Sequence, residues 1–238
     1  MSTPAGDQRA ALRRHIQNYL GALSDDPVTA PLREAFAAER ARLGSEAAIE
    51  LAIVPPDLDR EHTLLITVGM SDAPMAVPRE VQGNNPELYR HAELVLGLAE
   101  DWPLATETWP ATLLSRLAQL PERHSTWLGA GHTVPNGDPP LPYAGGSELC
   151  CALIAPTFEV DEGFKQLRLL PAKKGADGLI PGVLIQFYGV IPIFQEEMDL
   201  KLSQGAEELL DRLETYRVTE VLTPSRRNVA KRRKLWPF

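Results

Sequence analysis

The clearest hydrophobic pattern lies between residues 182 and 213, where a short apolar run is followed by an amphipathic stretch. Both alternating faces are apolar from Val183 to Phe194, which is typical of a central strand covered on both sides. The period then becomes helical, and one apolar stripe contains Met198, Leu202, Ala206, Leu209, Leu213 and Tyr216. Gly205 falls inside this predicted helix at a cost of about 1 kcal/mol relative to Ala. A close backbone contact is one reason to keep a glycine at this position.

The rest of the chain mixes helical and strand patterns without strict alternation. Helices are predicted over residues 4–23, 31–43 and 109–120, and strands over residues 49–54, 63–68, 88–96, 149–155 and 164–170. Loops rich in Pro, Gly and Asn are predicted over residues 69–87 and 135–147, with a short extended segment at 129–134 and a turn at 175–181. These elements predict an α+β fold with a mixed, largely antiparallel central sheet and flanking helices.

Charge is distributed unevenly along the chain. The net charge is −8, and residues 217–238 contain seven Lys and Arg against Glu220, which leaves about −14 for residues 1–216. An acidic body argues against a nucleic-acid-binding core. We expect the run Lys231 to Lys234 to be a solvated, mobile terminus, and the alternative is that it binds an acidic partner or the acidic body of the protein itself. We therefore divide the chain into an N-terminal helical segment (1–44), a main domain (45–216) and a basic C-terminal tail (217–238).

Several features indicate a cytoplasmic protein. The sequence contains no apolar run long enough to span a bilayer, and no signal peptide precedes the first predicted helix. The two cysteines, Cys150 and Cys151, are adjacent. Neighbouring residues of a strand point to opposite faces, so a disulfide between them requires unusual geometry. We predict two buried, reduced thiols.

Candidate catalytic chemistry is sparse. His91 and Glu93 share one strand face, and His132 lies in a later loop, so a metal-dependent hydrolase that uses all three is one hypothesis. The alternative is that these residues make structural hydrogen bonds. The sequence contains no G-x-S-x-G, no G-x-x-x-x-G-K-[ST] and no G-x-G-x-x-G motif. We therefore expect no enzyme activity and no cofactor.

Four sequence blocks between residues 92 and 198 are specific when taken together. They are A-E-L from Ala92, W-P-x-x-L-L from Trp109, G-x-G-H-T-x-P-N-G from Gly129 and I-P-x-x-x-E-E-M from Ile191. Their order resembles the suppressor of fused family, in particular its single-domain bacterial branch. The resemblance extends over residues 45–215.

The resemblance implies a mixed α+β domain that binds other proteins and has no catalytic role. In animal members it implies a two-domain clamp that adds a short extended peptide as a strand, and in bacterial relatives it implies immunity proteins of toxin systems. We therefore expect a protein partner, either a toxin domain or an extended peptide, with no membrane and no nucleic acid. A weaker hypothesis assigns transcriptional regulation to the basic tail.

The resemblance also marks one loop as a candidate partner-binding site. Its predicted residues are Trp127, Gly131, His132, Thr133, Asn136 and Gly137. The alternative interpretation is that these residues shape a turn and fill the core.

Overall fold

The computed structural model describes residues 4–83, 85, 87–170, 173–175, 178–180, 182–223 and 225–231. The helices are α1 (Pro4–Leu20), α2 (Ala30–Arg42), α3 (Arg79–Gln82), α4 (Trp109–His124), α5 (Gln195–Gln204) and α6 (Ala206–Thr215). The strands are β1 (Glu50–Val54), β2 (Thr63–Val68), β3 (His91–Leu98), β4 (Thr133–Pro135), β5 (Leu149–Pro156), β6 (Gln166–Leu170), β7 (Lys173–Gly175), β8 (Gly178–Ile180), β9 (Val183–Phe194) and β10 (Val221–Leu222).

One mixed sheet organises the molecule, with the strand order β1-β2-β3-β9-β5-β4. Neighbouring strands along this path are antiparallel, except that β3 and β9 run parallel. The antiparallel strand β6 also pairs with β9, and β10 runs parallel to β3. Strands β7 and β8 form a separate hairpin. The predicted α+β fold with a mixed, largely antiparallel sheet is confirmed.

Helices cover both faces of this sheet. On one face, α2 and α4 share a core cluster with every second side chain of β9, namely Tyr188, Val190 and Phe194. On the opposite face, α1 covers the part of β9 that contains Ile185 and Phe187. The α5–α6 pair covers the following part of that face, which contains Ile193. Strand β9 is therefore the central, doubly covered strand that its apolar pattern predicts.

Gly205 divides the long helix predicted after β9. Its backbone has φ +97° and ψ 165°, a conformation that only glycine adopts readily, and α5 ends there before α6 begins. A Cβ at this position would meet no atom within 4 Å. The expected close contact is therefore wrong, since the glycine is required by its torsion angles. The predicted stripe also breaks, and Leu202 is 67% exposed.

Other element boundaries differ from the sequence prediction in smaller ways. Strand β3 begins at His91 because residues 87–90 form a turn, and α4 continues through Pro121 to His124. The predicted loop 69–87 contains a 3₁₀ turn at Met70–Asp72 and the short helix α3. The predicted turn 175–181 forms part of the β7–β8 hairpin, although residues 176, 177 and 181 lie outside the described residues.

Both ends of the described chain pack against the sheet. Helix α1 buries Leu12 and Ile16, and its Arg9 pairs with Asp72. Beyond α6, β10 pairs with β3, and residues 225–231 lie against the start of α5. Of the four residues expected to form a mobile terminus, Lys231 pairs with Glu196, and residues 232–234 lie outside the described residues, so that expectation stays a prediction. The division of the chain at residues 44 and 216 stays a prediction.

Candidate functional site

Strand β4 forms one edge of the sheet and contains the centre of the predicted partner-binding loop. It pairs with β5 in antiparallel register, with Thr133 opposite Leu153. No other strand in the described part of the chain pairs with its outer side. An edge strand presents unpaired backbone donors and acceptors, which another chain can use for pairing.

Hydrogen bonds to β5 determine which backbone groups of β4 point outward. The backbone carbonyl of His132 accepts a hydrogen bond from the N–H of Ile154 (2.8 Å), and the backbone N–H of Asn136 donates to the carbonyl of Cys150 (2.8 Å). Antiparallel ladders alternate, so the N–H and C=O of Thr133 and the C=O of Pro135 point away from β5. Pro135 has no N–H and occupies a position that an edge strand tolerates. Three backbone groups are therefore directed outward.

A groove of about 360 Å³ runs along this edge. It is lined by Leu120, Trp127, Leu128, His132, Thr133, Val134, Pro135 and Lys201. Leu120 belongs to α4 and Lys201 to α5, which cover opposite faces of the sheet. The groove therefore spans the sheet edge, and it combines apolar walls with one cationic side chain.

Trp127 and His132 form the aromatic wall of the groove. Their ring centroids are 4.3 Å apart, with an interplanar angle of 68°. Burial lowers the pKa of His132, and the nearby Lys201 lowers it further, while a hydrogen bond to the Trp127 backbone opposes both effects. The imidazole is therefore neutral at neutral pH. Gly129 makes room for the indole, because a Cβ at that position would lie 2.5 Å from the Trp127 ring.

Asn136 organises the loop that follows β4. Its side-chain Oδ1 accepts a hydrogen bond from Arg116 (2.8 Å), and its Nδ2 donates to the carbonyl of Leu141 (2.6 Å). The backbone N–H of Leu141 donates to the carbonyl of Asn136 (2.9 Å). Gly137 has φ +101°, which turns the chain into this loop.

The six predicted residues therefore divide into two groups. Trp127, His132 and Thr133 line the groove, whereas Gly131, Asn136 and Gly137 shape its backbone. Their role in binding a partner stays a prediction. The sequence reasoning missed Leu120, Pro135 and Lys201. A proline in a short apolar run is a signal for an edge strand, but no local pattern places α4 and α5 beside β4.

His91 and Glu93 lie in a different part of the molecule and are buried. Glu93 accepts hydrogen bonds from the hydroxyls of Thr67 (2.6 Å) and Ser71 (2.7 Å) and from the backbone N–H of Gly69 (3.0 Å). Burial raises the pKa of Glu93 to about 7, and these hydrogen bonds oppose the rise. The carboxyl thereby fastens the turn after β2 to β3.

The three residues of the hydrolase hypothesis do not converge. Two strands, β9 and β5, separate β3 with His91 and Glu93 from the β4 edge with His132, which corresponds to about 14 Å. Across the described ranges, no group of three His, Cys, Asp or Glu side chains lies close enough together to hold a metal ion. His91 instead contacts the carbonyl of Ser71 through Nδ1 (2.8 Å).

A cavity of about 540 Å³ lies between α1, the 3₁₀ turn and α4. Two of its charged residues, Arg9 of α1 and Asp72 of the turn, pair with each other. We place the candidate site at β4 because the matched G-H-T-x-P-N-G loop and its groove lie there. None of the helices in the described residues combines the length and apolar composition required to cross a membrane.

The fold defines an α+β protein with a mixed, doubly covered sheet that has β4 at one edge. Residues 45–227 match the family model of the suppressor of fused protein (SUFU). Because this match covers most of the sequence, the chain belongs to the suppressor of fused family. The resemblance noted in the sequence is therefore confirmed.

Solved structures of other proteins share this fold. A suppressor of fused homologue from Neisseria gonorrhoeae is 15% identical, with a TM-score of 0.56 over 98% of this chain and 99% of that one. The Sufu of a Sufu–Fu complex is 18% identical, with a TM-score of 0.50 over 87% of this chain and 82% of that one. No curated protein matches the sequence. The family fold supports a protein-interaction module.

Proposed function

We propose that this protein is a non-catalytic binding protein that adds an extended segment of a partner protein to β4. The observation that carries the proposal is the outward direction of the Thr133 N–H and C=O at an edge beside an apolar groove. Strand addition draws affinity from backbone hydrogen bonds and specificity from side-chain pockets.

The short length of β4 determines how the affinity is divided. Thr133 and the carbonyl of Pro135 offer three backbone hydrogen bonds, each with a net contribution of about 0.5 to 1.5 kcal/mol. Three such bonds alone give weak binding, so the groove must contribute most of the affinity. An aromatic or aliphatic side chain from the partner would pack against Trp127 and Leu128.

We further propose that the partner is a basic toxin domain and that the protein neutralises it in the cytoplasm. The charge of about −14 over residues 1–216 supports this choice, because opposite fields accelerate association. The Sufu–Fu complex supports the more general idea that members of this family bind proteins. Association with a basic partner should slow as salt is added, and an association rate that ignores salt would contradict the charge argument.

Variants of Thr133 test the docking edge. Thr133→Pro removes the outward N–H without removing a hydrogen bond to β5, and Thr133→Val keeps the N–H and the branched shape. Affinity capture from the native host, followed by mass spectrometry, should recover one stoichiometric partner with the wild type and Thr133→Val. Thr133→Pro should lose that partner while its unfolding curve stays close to that of the wild type.

Two outcomes would contradict the proposal. If a correctly folded Thr133→Pro variant retained the partner at full affinity, the partner would have to dock elsewhere. Conversion of a substrate by pure protein, abolished by replacement of one polar residue in an otherwise intact molecule, would show an enzyme instead.

A further inference from the structure

Cys150 and Cys151 lie side by side in the structure, although the strand pattern predicts that they point to opposite faces. A β-bulge causes the difference. Leu149 pairs with Phe194 and Cys151 with the preceding residue, Ile193, so Cys150 has no partner of its own on β9. Both thiols enter the same core cluster beneath α5 and α6, and their sulfur atoms are 3.8 Å apart.

Burial raises the pKa of both thiols, to about 12 for Cys151, so the reactive thiolate is a minor form and the reaction with peroxide is slow. The Cys151 thiol, whose sulfur is 3.8 Å from that of Cys150, opposes the rise at Cys150 and lies where it can react with an oxidised Cys150 sulfur. Cys150 is 5% exposed and Cys151 is fully buried, so Cys150 is the one that a small oxidant reaches first.

We propose that Cys150 and Cys151 are a peroxide-sensitive dithiol that closes reversibly to a disulfide and thereby alters the β4 edge. The Cys150 thiolate attacks one oxygen of hydrogen peroxide, which cleaves the O–O bond, gives a sulfenic acid and releases hydroxide. The Cys151 sulfur then attacks the Cys150 sulfur and displaces the sulfenic hydroxyl group, which leaves as water. Two thiols and one peroxide thus yield one disulfide and two waters, with the thiol protons completing the waters.

Ring closure would act on β4 through the peptide group between the cysteines. The Cα atoms of adjacent residues are about 3.8 Å apart across a trans peptide, closer than the roughly 4.4 to 6.8 Å usual in disulfides. The linking peptide must therefore reorient when the ring closes. Its Cys150 carbonyl accepts the N–H of Asn136 (2.8 Å), and Cys151 lies opposite Pro135. Oxidation should break the Asn136 hydrogen bond and loosen the end of β4.

The regulatory half of this inference rests on the proposed function, but its chemistry does not. The chain contains two cysteines in total, so loss of both thiols reports on this pair alone. The experiment treats the full-length protein with hydrogen peroxide, counts thiols after denaturation and measures intact mass. Cys150→Ser and Cys151→Ser are matched controls, each with a single thiol.

We expect the two wild-type thiols to disappear together, with a mass loss of two hydrogen atoms that dithiothreitol reverses. The single-cysteine variants should instead gain oxygen or form dimers. Hydrogen exchange of the Asn136 amide should accelerate about tenfold in the oxidised protein, the factor that corresponds to one lost hydrogen bond. Val134, which also bonds to β5, provides a second reporter.

Specific results would overturn the inference. Native thiols that resist peroxide under conditions that oxidise the unfolded chain would remove the dithiol site. Oxidation that gives only added oxygen or intermolecular dimers would do the same. Unchanged exchange at Asn136 after ring formation would refute the link to β4. Failure of the Thr133→Pro test would remove the proposed function and leave the thiol and mass results intact.

Discussion

The carboxylate of Glu197 is fully buried, and one cation compensates it. Arg226, whose side chain is 5% exposed, pairs with Glu197 through both terminal nitrogens. The backbone N–H groups of Phe194 (3.0 Å) and Val229 (2.7 Å) also donate to this carboxylate. Replacement of Arg226 by methionine keeps most of the side-chain volume and leaves a buried charge without its counterion.

The structure allows the cost to be estimated. Removal of one partner of a buried ion pair costs about 3 to 5 kcal/mol. The two backbone donors remain in Arg226→Met, so we expect a value near the lower end, about 3 kcal/mol. For a chain of this size, each kcal/mol lowers the melting temperature by about 2 to 4 °C. The variant should therefore melt roughly 6 to 12 °C below the wild type.

The adjacent arginine provides a matched control. The Arg227 guanidinium lies 4.2 Å from the centroid of the exposed Tyr216 ring, where a cation–π contact contributes about 0.5 to 1 kcal/mol. Arg227→Met should therefore be nearly neutral. Urea unfolding at constant pH measures both variants. The double variant Glu197→Gln/Arg226→Met should regain part of the lost stability, because position 197 then carries no charge that needs a counterion.

Equal effects of Arg226→Met and Arg227→Met would refute this reasoning. A double variant less stable than Arg226→Met would also refute it, since the penalty would then not arise from an uncompensated carboxylate.

Two further predictions concern Glu93 and Gly205. Burial raises the pKa of Glu93 from 4.5 to about 7, so the folded chain binds this proton more tightly than the unfolded chain. The protonated carboxyl therefore stabilises the folded state below pH 4.5, and this stabilisation is lost as the pH rises to about 7. The difference in free energy of unfolding between wild type and Glu93→Gln should change by about 3 kcal/mol over that range. A difference that does not vary with pH in urea unfolding would contradict this. Gly205→Ala should cost about 1 to 3 kcal/mol because of its φ of +97°. Gly145→Ala, at an open position without positive φ, should be close to neutral in the same assay.

The fold could be predicted from the sequence wherever one local pattern determined the structure. The run from Val183 to Phe194 is apolar on both faces, and it forms β9 with the predicted bounds. Gly205 shows where this reasoning ends, because helical periodicity continues through a residue whose torsion angles interrupt the helix. A glycine in a helical pattern indicates a possible break, and only the surrounding structure decides between a break and a close contact.

The candidate site was predictable in part. The G-H-T-x-P-N-G block marks the loop, and the proline within it signals a strand edge. The groove wall formed by Leu120 and Lys201 depends on the long-range placement of α4 and α5. The proximity of the two thiols depends on a bulge that no local pattern of Leu149 to Cys151 reveals.

The parallel pairing of β3 with β9 determines how late in synthesis the central part of the sheet can form. His91 lies opposite Ile185, and Gly97 lies opposite Val221, so the inner edge of β3 has no partner until the last third of the chain has been synthesised. Contacts between such distant residues slow folding. While the chain emerges from the ribosome, the backbone groups of β3 that bond to β9 in the native sheet have no partner, and an unpaired strand edge of this kind favours aggregation.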